Sequence, residues 1–292
     1  MEQKFQDSKL HTVVGASPKI VTQVFKAPLK TPARLVDLDR AKGFAIFLVV
    51  LGHLARGAPP DNEWYGVLKQ TLYLFHMPLF MFLSGVTMQL SYKPLLQYST
   101  YPEYVRQKFI RLMPAFLIFG ALTLAGKIVG SSFMQIDNPP SGWIDGLTLI
   151  FFKPIHSTAG SLWYIYVLFM FYALLPLLHS ITRSNLLAML AIGAVIHFIP
   201  MTDWFMLNGV AEYLLYLVLG FLAARHYSQW TVILDKYAPL LISIFCGLLL
   251  FCVWTPLPKT LMGLCAIPAV HALARTRLMN RSSFWLMLGT YT

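Results

Sequence analysis

The chain is poor in acid and poor in charge altogether. Only 12 of its 292 residues are Asp or Glu, against 23 Lys and Arg, and charged side chains make up 12% of the sequence. A soluble domain carries about 25%. With 57% of the residues hydrophobic, a soluble fold of this length is excluded. Cysteine is scarce as well: Cys246, Cys252 and Cys265 all fall in apolar stretches, with no metal-ligand spacing and no disulfide role. Residues 1–34 are basic and polar without an apolar core, so no cleavable signal peptide is expected. Also absent are a Walker loop, a GxSxG elbow, an HExxH pair and a dinucleotide-binding glycine motif, which argues against an ATP-driven pump.

What the chain has in abundance is long apolar runs. A membrane-spanning helix needs about 20 mostly apolar residues, and candidate helices lie near 36–56, 67–91, 109–130, 160–179, 185–200, 205–224, 238–254 and 260–274. The expected fold class is all-α, a polytopic transmembrane bundle of about eight to ten helices. The net charge of +11 does not point to nucleic acid, because eight of the 23 basic residues lie in residues 1–42 and most others lie between apolar runs. That distribution fits the positive-inside rule and a lipid bilayer as partner. It predicts a multi-pass protein of the cell inner (plasma) membrane with a cytoplasmic N-terminus. Lys93, Arg106, Lys108, Arg183, Arg225, Lys236, Arg275, Arg277 and Arg281 would be inside, and Asp61, Glu63 and Asp203 outside. The organisation is a flexible basic tail, 1–34, followed by one membrane-embedded domain, 35–292. The run WIDGLTLIFF (143–152) is too short to cross and is expected to be re-entrant or interfacial. SSFWLMLGTYT (282–292) reads as a last helix that stops about half way, which suggests a truncated chain.

Ionisable residues inside apolar runs are the candidates for chemistry. In LDRAKGFAIFLVVLGHLARG (38–57), Lys42 and His53 are eleven residues apart. Eleven residues make about three turns, so both point to nearly the same side, roughly 16 Å apart along the axis. A cation at one end of a face and a titratable base at the other suit an anionic ligand and a proton transfer. The bland readings are a snorkelling anchor for Lys42 and a hydrogen-bonded histidine for His53. Asp39 precedes Lys42 by three residues and is placed to pair with it. In LYLFHMPLFMFLSG (72–85), His76 is a second intramembrane histidine, Pro78 is expected to break or kink the helix, and Ser84 and Gly85 permit close packing. In VRQKFIRLMPAF (105–116), Lys108 and Arg111 share a face and form a candidate anion site, while Arg106 reads as an anchor. Glu212 is the only acid within an apolar helix, either a charge partner for a base or an orienter of a histidine. Trp163 and Tyr164 read as interfacial aromatics or pocket walls, His197 and His271 as packing residues, and His156 as a loop residue.

Taken in order, LDRAKGFAIFLVVLGH, FHMPLFMFLSG, the basic pair before LMPAF, and SLWYIY resemble acyltransferase family 3, particularly its fucose 4-O-acetylase-like branch. The likeness covers residues 35–180 well and the later helices by hydropathy. Lys42 and His53 match the family's first-helix pattern of a base, ten residues and a histidine. Lys108 and Arg111 stand where the family has two arginines three apart, so Lys108 is a departure that keeps the charge and loses the bidentate fork. The resemblance implies a membrane enzyme that takes an acyl group, usually acetyl, from cytoplasmic acyl-CoA to a sugar hydroxyl of a surface or exported glycan. Acetyl-CoA is then a co-substrate, with no bound cofactor and no metal. Lys42, Lys108 and Arg111 would attract its phosphates. His53 would act as general base or acyl carrier, with His76 beside it and Asp39, Ser84, Trp163 and Glu212 in support. The alternative from another class is a proton-coupled or passive transporter of an anionic solute. A third is a nonfunctional truncated homologue.

Overall fold

A computed structural model describes residues 35–54, 63–91, 100–135 and 140–290. The proposed basic tail, 1–34, lies outside them. The described residues form eleven α-helices and no strand: α1 Val36–His53, α2 Glu63–Leu90, α3 Tyr101–Gly130, α4 Trp143–Phe152, α5 Trp163–Ile181, α6 Leu186–His197, α7 Leu207–Arg225, α8 Tyr227–Cys252, α9 Lys259–Arg275, α10 Arg277–Asn280 and α11 Ser283–Thr290. Each expected apolar run is a helix. Among the described residues, five segments are long and apolar enough to cross a membrane: Trp64–Leu90, Tyr101–Gly130, Gly160–Ile181, Trp204–Arg225 and Tyr227–Cys252. The protein is therefore an all-α, multi-pass membrane protein.

Several helices begin earlier than hydropathy predicts. α3 starts at Tyr101, so Arg106 and Lys108 stand within the helix and not before it. The cause is local: the Thr100 hydroxyl accepts the Glu103 amide at 3.3 Å, and Pro102 occupies the first turn, where its missing N–H costs nothing. α8 likewise starts at Tyr227, so Asp235 and Lys236 lie on the helix. Pro78 does not break α2, which runs unbroken from Glu63 to Leu90. Phe75, Met77 and Leu79 around it are buried. The proline ring also fills the space over Gly263 of α9, where a Cβ would come within 2.7 Å of Pro78 Cβ.

The chain divides into two compact units, one containing 93–191 and 201–210, the other containing 32–92, 192–200 and 211–292. In the first, α3 packs against α4 and α5. The Tyr101 and Tyr104 hydroxyls donate to the carbonyls of Ala173 at 2.7 Å and Tyr172 at 3.1 Å, tying α3 to α5. The short run expected to be re-entrant is α4, whose Gly146 accepts the side chain of Leu124 from α3.

In the second unit α1 packs on α2, α9 and α11, α2 on α9, and α9 on α8. Glycines allow two of its closest backbone approaches. Gly85 of α2 lies against the Leu217 carbonyl of α7, and Gly220 of α7 against the Phe82 carbonyl of α2. Gly43 and Gly289 do the same for α1 and α11. Small residues four apart let helix backbones meet where lipid supplies no hydrophobic drive between helices.

Candidate active site

The second unit places a histidine pair around one tyrosine. His53 occupies the last turn of α1, and His76 the middle of α2. Tyr73 precedes His76 by three residues, which puts both on one side of α2. The Tyr73 ring is 5.8 Å from the His53 ring and 5.0 Å from that of His76. The Tyr73 hydroxyl lies 3.5 Å from His53 Nε2. His53 is exposed, Tyr73 is 39% exposed and His76 is buried at 2%, so the group runs from an open end to a sealed one.

Backbone carbonyls set the tautomers. His53 Nδ1 donates to the Val49 carbonyl at 2.7 Å, and His76 Nδ1 donates to the Leu72 carbonyl at 2.6 Å. A carbonyl only accepts, so in each neutral ring Nδ1 carries the hydrogen and Nε2 keeps the lone pair. Both rings therefore offer Nε2 as a base, and the one on His53 faces the open end.

Lys42 is half-buried on α1, with Asp39 acting on its charge from one turn earlier. It shares the His53 face of the helix but lies about three turns away, and the structure does not bring the two side chains together. Ser84 is eight residues along α2 from His76, roughly 12 Å of helical rise, and also stands apart.

Glu212 is not the orienter of His53 or His76. It forms an ion pair with Lys259, at the head of α9. Lys259 also donates to the Tyr213 hydroxyl at 2.8 Å. His197 Nδ1 donates to the Glu212 carbonyl at 2.6 Å, and the Thr260 hydroxyl donates to His197 Nε2 at 2.7 Å.

A further polar cluster gathers around His271, which is fully buried. Trp230 Nε1 donates to its Nδ1 at 3.1 Å, so Nε2 carries the hydrogen, 3.6 Å from the Asp37 carboxylate. Asp37 pairs with Arg275, which also reaches Asp235 at 2.7 Å. The cluster binds the start of α1 to α8 and α9.

Lys108, Arg111 and Trp163 belong to the first unit. The Lys108 ammonium lies 4.6 Å above the Tyr172 ring and 5.4 Å from that of Tyr104, and Arg111 is exposed. Arg106 pairs with Glu103 at 3.4 Å on the surface. Trp163 opens α5, half-buried beside Gly209. His156 pairs with Asp203 at 3.0 Å.

Tyr73, Lys259, Tyr213, Thr260 and Asp37 did not stand out in the sequence. Tyr73 carried a usable signal in its three-residue spacing from His76. Lys259 had none, since it follows a proline-rich turn and reads as a loop cation.

An all-α bundle whose described residues include five segments long and apolar enough to cross a membrane defines a class, a multi-pass integral membrane protein. The chain belongs to the acyltransferase 3 family: the family described as an acyltransferase domain matches residues 35–292. Among curated proteins it is similar to Nodulation protein NolL of Sinorhizobium fredii (strain NBRC 101917 / NGR234), 27% identical over 172 residues, 58% of this chain and 43% of that protein. It is also similar to Nodulation protein NolL of Mesorhizobium japonicum (strain LMG 29417 / CECT 9101 / MAFF 303099), 26% identical over 178 residues, 60% of this chain and 44% of that protein. The matched region thus spans less than half the length of these relatives. No solved structure matches the chain.

Proposed function

We propose that this protein transfers an acetyl or other short acyl group from acyl-CoA to a hydroxyl of a sugar in a surface or exported glycan. The observation that carries the reading is the His53 tautomer. With Nδ1–H committed to Val49, Nε2 at the open end is the lone pair that takes the proton as the acceptor hydroxyl attacks the thioester carbonyl. The hydroxyl oxygen forms the new ester bond, the carbon–sulfur bond breaks, and CoA leaves as thiolate, to be protonated from the His53 imidazolium. The Tyr73 hydroxyl stands 3.5 Å from His53 Nε2, and His76 backs the Tyr73 ring.

Lys42 on α1 and the pair Lys108 and Arg111 on α3 attract the CoA phosphates. An ammonium acts there as a point charge and a guanidinium as a fork. On this reading residues 35–292 are the catalytic domain, in the cell inner membrane with the N-terminal end of α1 toward the cytoplasm. Acyl-CoA is a co-substrate and no resident cofactor takes part. Membership of an acyltransferase family supports an enzyme over the transporter alternative.

The test is acetyl transfer from labelled acetyl-CoA in membranes containing the protein, with His53→Ala beside it at matched protein level. Label reaching a glycan fraction, and lost in the variant, supports the reading. Transfer that survives His53→Ala unchanged removes His53 from the chemistry.

A further inference from the structure

One charged pair in the second unit has no part in the transfer step. From Ala211 to Ala224, α7 is buried at every residue except Glu212, Leu219 and Leu222. An ionisable residue on so enclosed a helix calls for a partner and a purpose. The partner is Lys259, yet the pair is not sealed, with the Lys259 side chain 39% and that of Glu212 29% exposed. Sealing an ion pair from water costs desolvation, and partial exposure keeps its charges within reach of a polar ligand. This one is open to a ligand and ringed by further polar groups. The Tyr213 hydroxyl takes a Lys259 proton at 2.8 Å, the Tyr213 ring lies 5.1 Å beneath the ammonium, and the Thr260–His197 bond at 2.7 Å borders the pair. The His197 bond to the Glu212 carbonyl also pins α7 at this turn. Lys259 heads α9, which packs on α2 with Gly263 against Pro78, so the pair neighbours the histidine helix.

We infer that Glu212 and Lys259 form the subsite that holds the acceptor, a pyranoside bound through a vicinal diol. The inference rests on the proposed acyl transfer and adds to it the group that recognises the sugar. An ionised carboxylate only accepts hydrogen bonds, and its two oxygens match two adjacent O–H donors. An ammonium only donates, and so takes the lone pair of a sugar oxygen. The two charges together bind a neutral polyol with every polar atom satisfied.

The test uses the full chain in lipid nanodiscs and equilibrium binding of three tritiated probes: methyl α-L-fucopyranoside, methyl α-D-galactopyranoside and methyl α-D-glucopyranoside. At least one is expected to bind the unaltered protein, and Glu212→Gln and Lys259→Met each to weaken it roughly tenfold or more. The double variant Glu212→Lys with Lys259→Glu restores the ion pair but reverses the ligand groups. It is expected to recover the thermal midpoint without recovering glycoside binding. The subsite is overturned if no probe binds, if the single variants bind as well as the unaltered protein, or if the charge swap restores binding along with stability. Labelled acetyl-CoA transfer in the same nanodiscs reads the proposed function separately. Glycoside binding without transfer would sink that function and keep the subsite, whereas transfer with an unchanged acceptor KM in Glu212→Gln would sink the subsite alone.

Discussion

Gly289 of α11 sits against the backbone carbonyl of Asp39 in α1, so close that no Cβ fits between them. Four residues earlier on α11, the Trp285 carbonyl meets Gly43 of α1 in the same way. The Trp285 ring then reaches the edges of Phe44 and Phe47, each at 5.4 Å between centroids. The short helix expected to stop half way across the membrane is therefore packed backbone to backbone on the helix that carries Lys42 and His53. Gly289→Leu forces α11 off α1 because the obstacle is backbone. The expected cost is about 1–3 kcal/mol, read as a lower thermal midpoint in detergent and a lower transfer rate. Unchanged stability in that variant would show that the contact bears no strain.

His271 and Asp37 hold the same end of α1, at its first turn. His271→Ala leaves the Trp230 N–H without its acceptor and Asp37 without one of its partners. A loss of about 1–3 kcal/mol is expected, measured by thermal unfolding. His271→Gln keeps a donor and an acceptor, and is expected to recover part of the loss.

The His53 tautomer makes a graded prediction. His53→Ala is expected to lower kcat by about two to four orders of magnitude, the range for removal of a general base. Tyr73→Phe removes only the hydroxyl facing Nε2. It is expected to lower kcat several-fold with little effect on the KM for acyl-CoA. Equal losses in the two variants would move the proton transfer from His53 to the tyrosine.

Lys108 lies on the faces of Tyr172 and Tyr104. Lys108→Ala is expected to raise the KM for acyl-CoA roughly tenfold with kcat nearly unchanged, the signature of lost uniform binding. Lys108→Arg keeps the ring contact and adds a fork suited to phosphate, so the KM is expected to fall. A KM indifferent to both changes would leave Lys108 a structural cation.

The helices were legible because a span needs a run of apolar residues, and that run is written in the chain. Their polar beginnings were not. Asp235 and Lys236 looked like a loop but form part of α8, since hydropathy registers only the stretch that meets hydrocarbon. Pro78 was expected to interrupt α2. The helix continues because its neighbours are buried and Gly263 receives the ring.

Within the site, the sequence by itself determined that His53 shares a helix face with Lys42 and that His76 lies in the next apolar run, because 3.6 residues per turn makes azimuth a matter of counting. It also determined the acyltransferase resemblance, through motifs that are each local. Tertiary structure alone decided that Glu212 pairs with Lys259, 47 positions away, and that His271 faces Asp37, 234 positions away. It alone decided that α11 closes on α1 through Gly43 and Gly289. Such partners are chosen by which helices pack together, and no periodicity within a single helix records that choice.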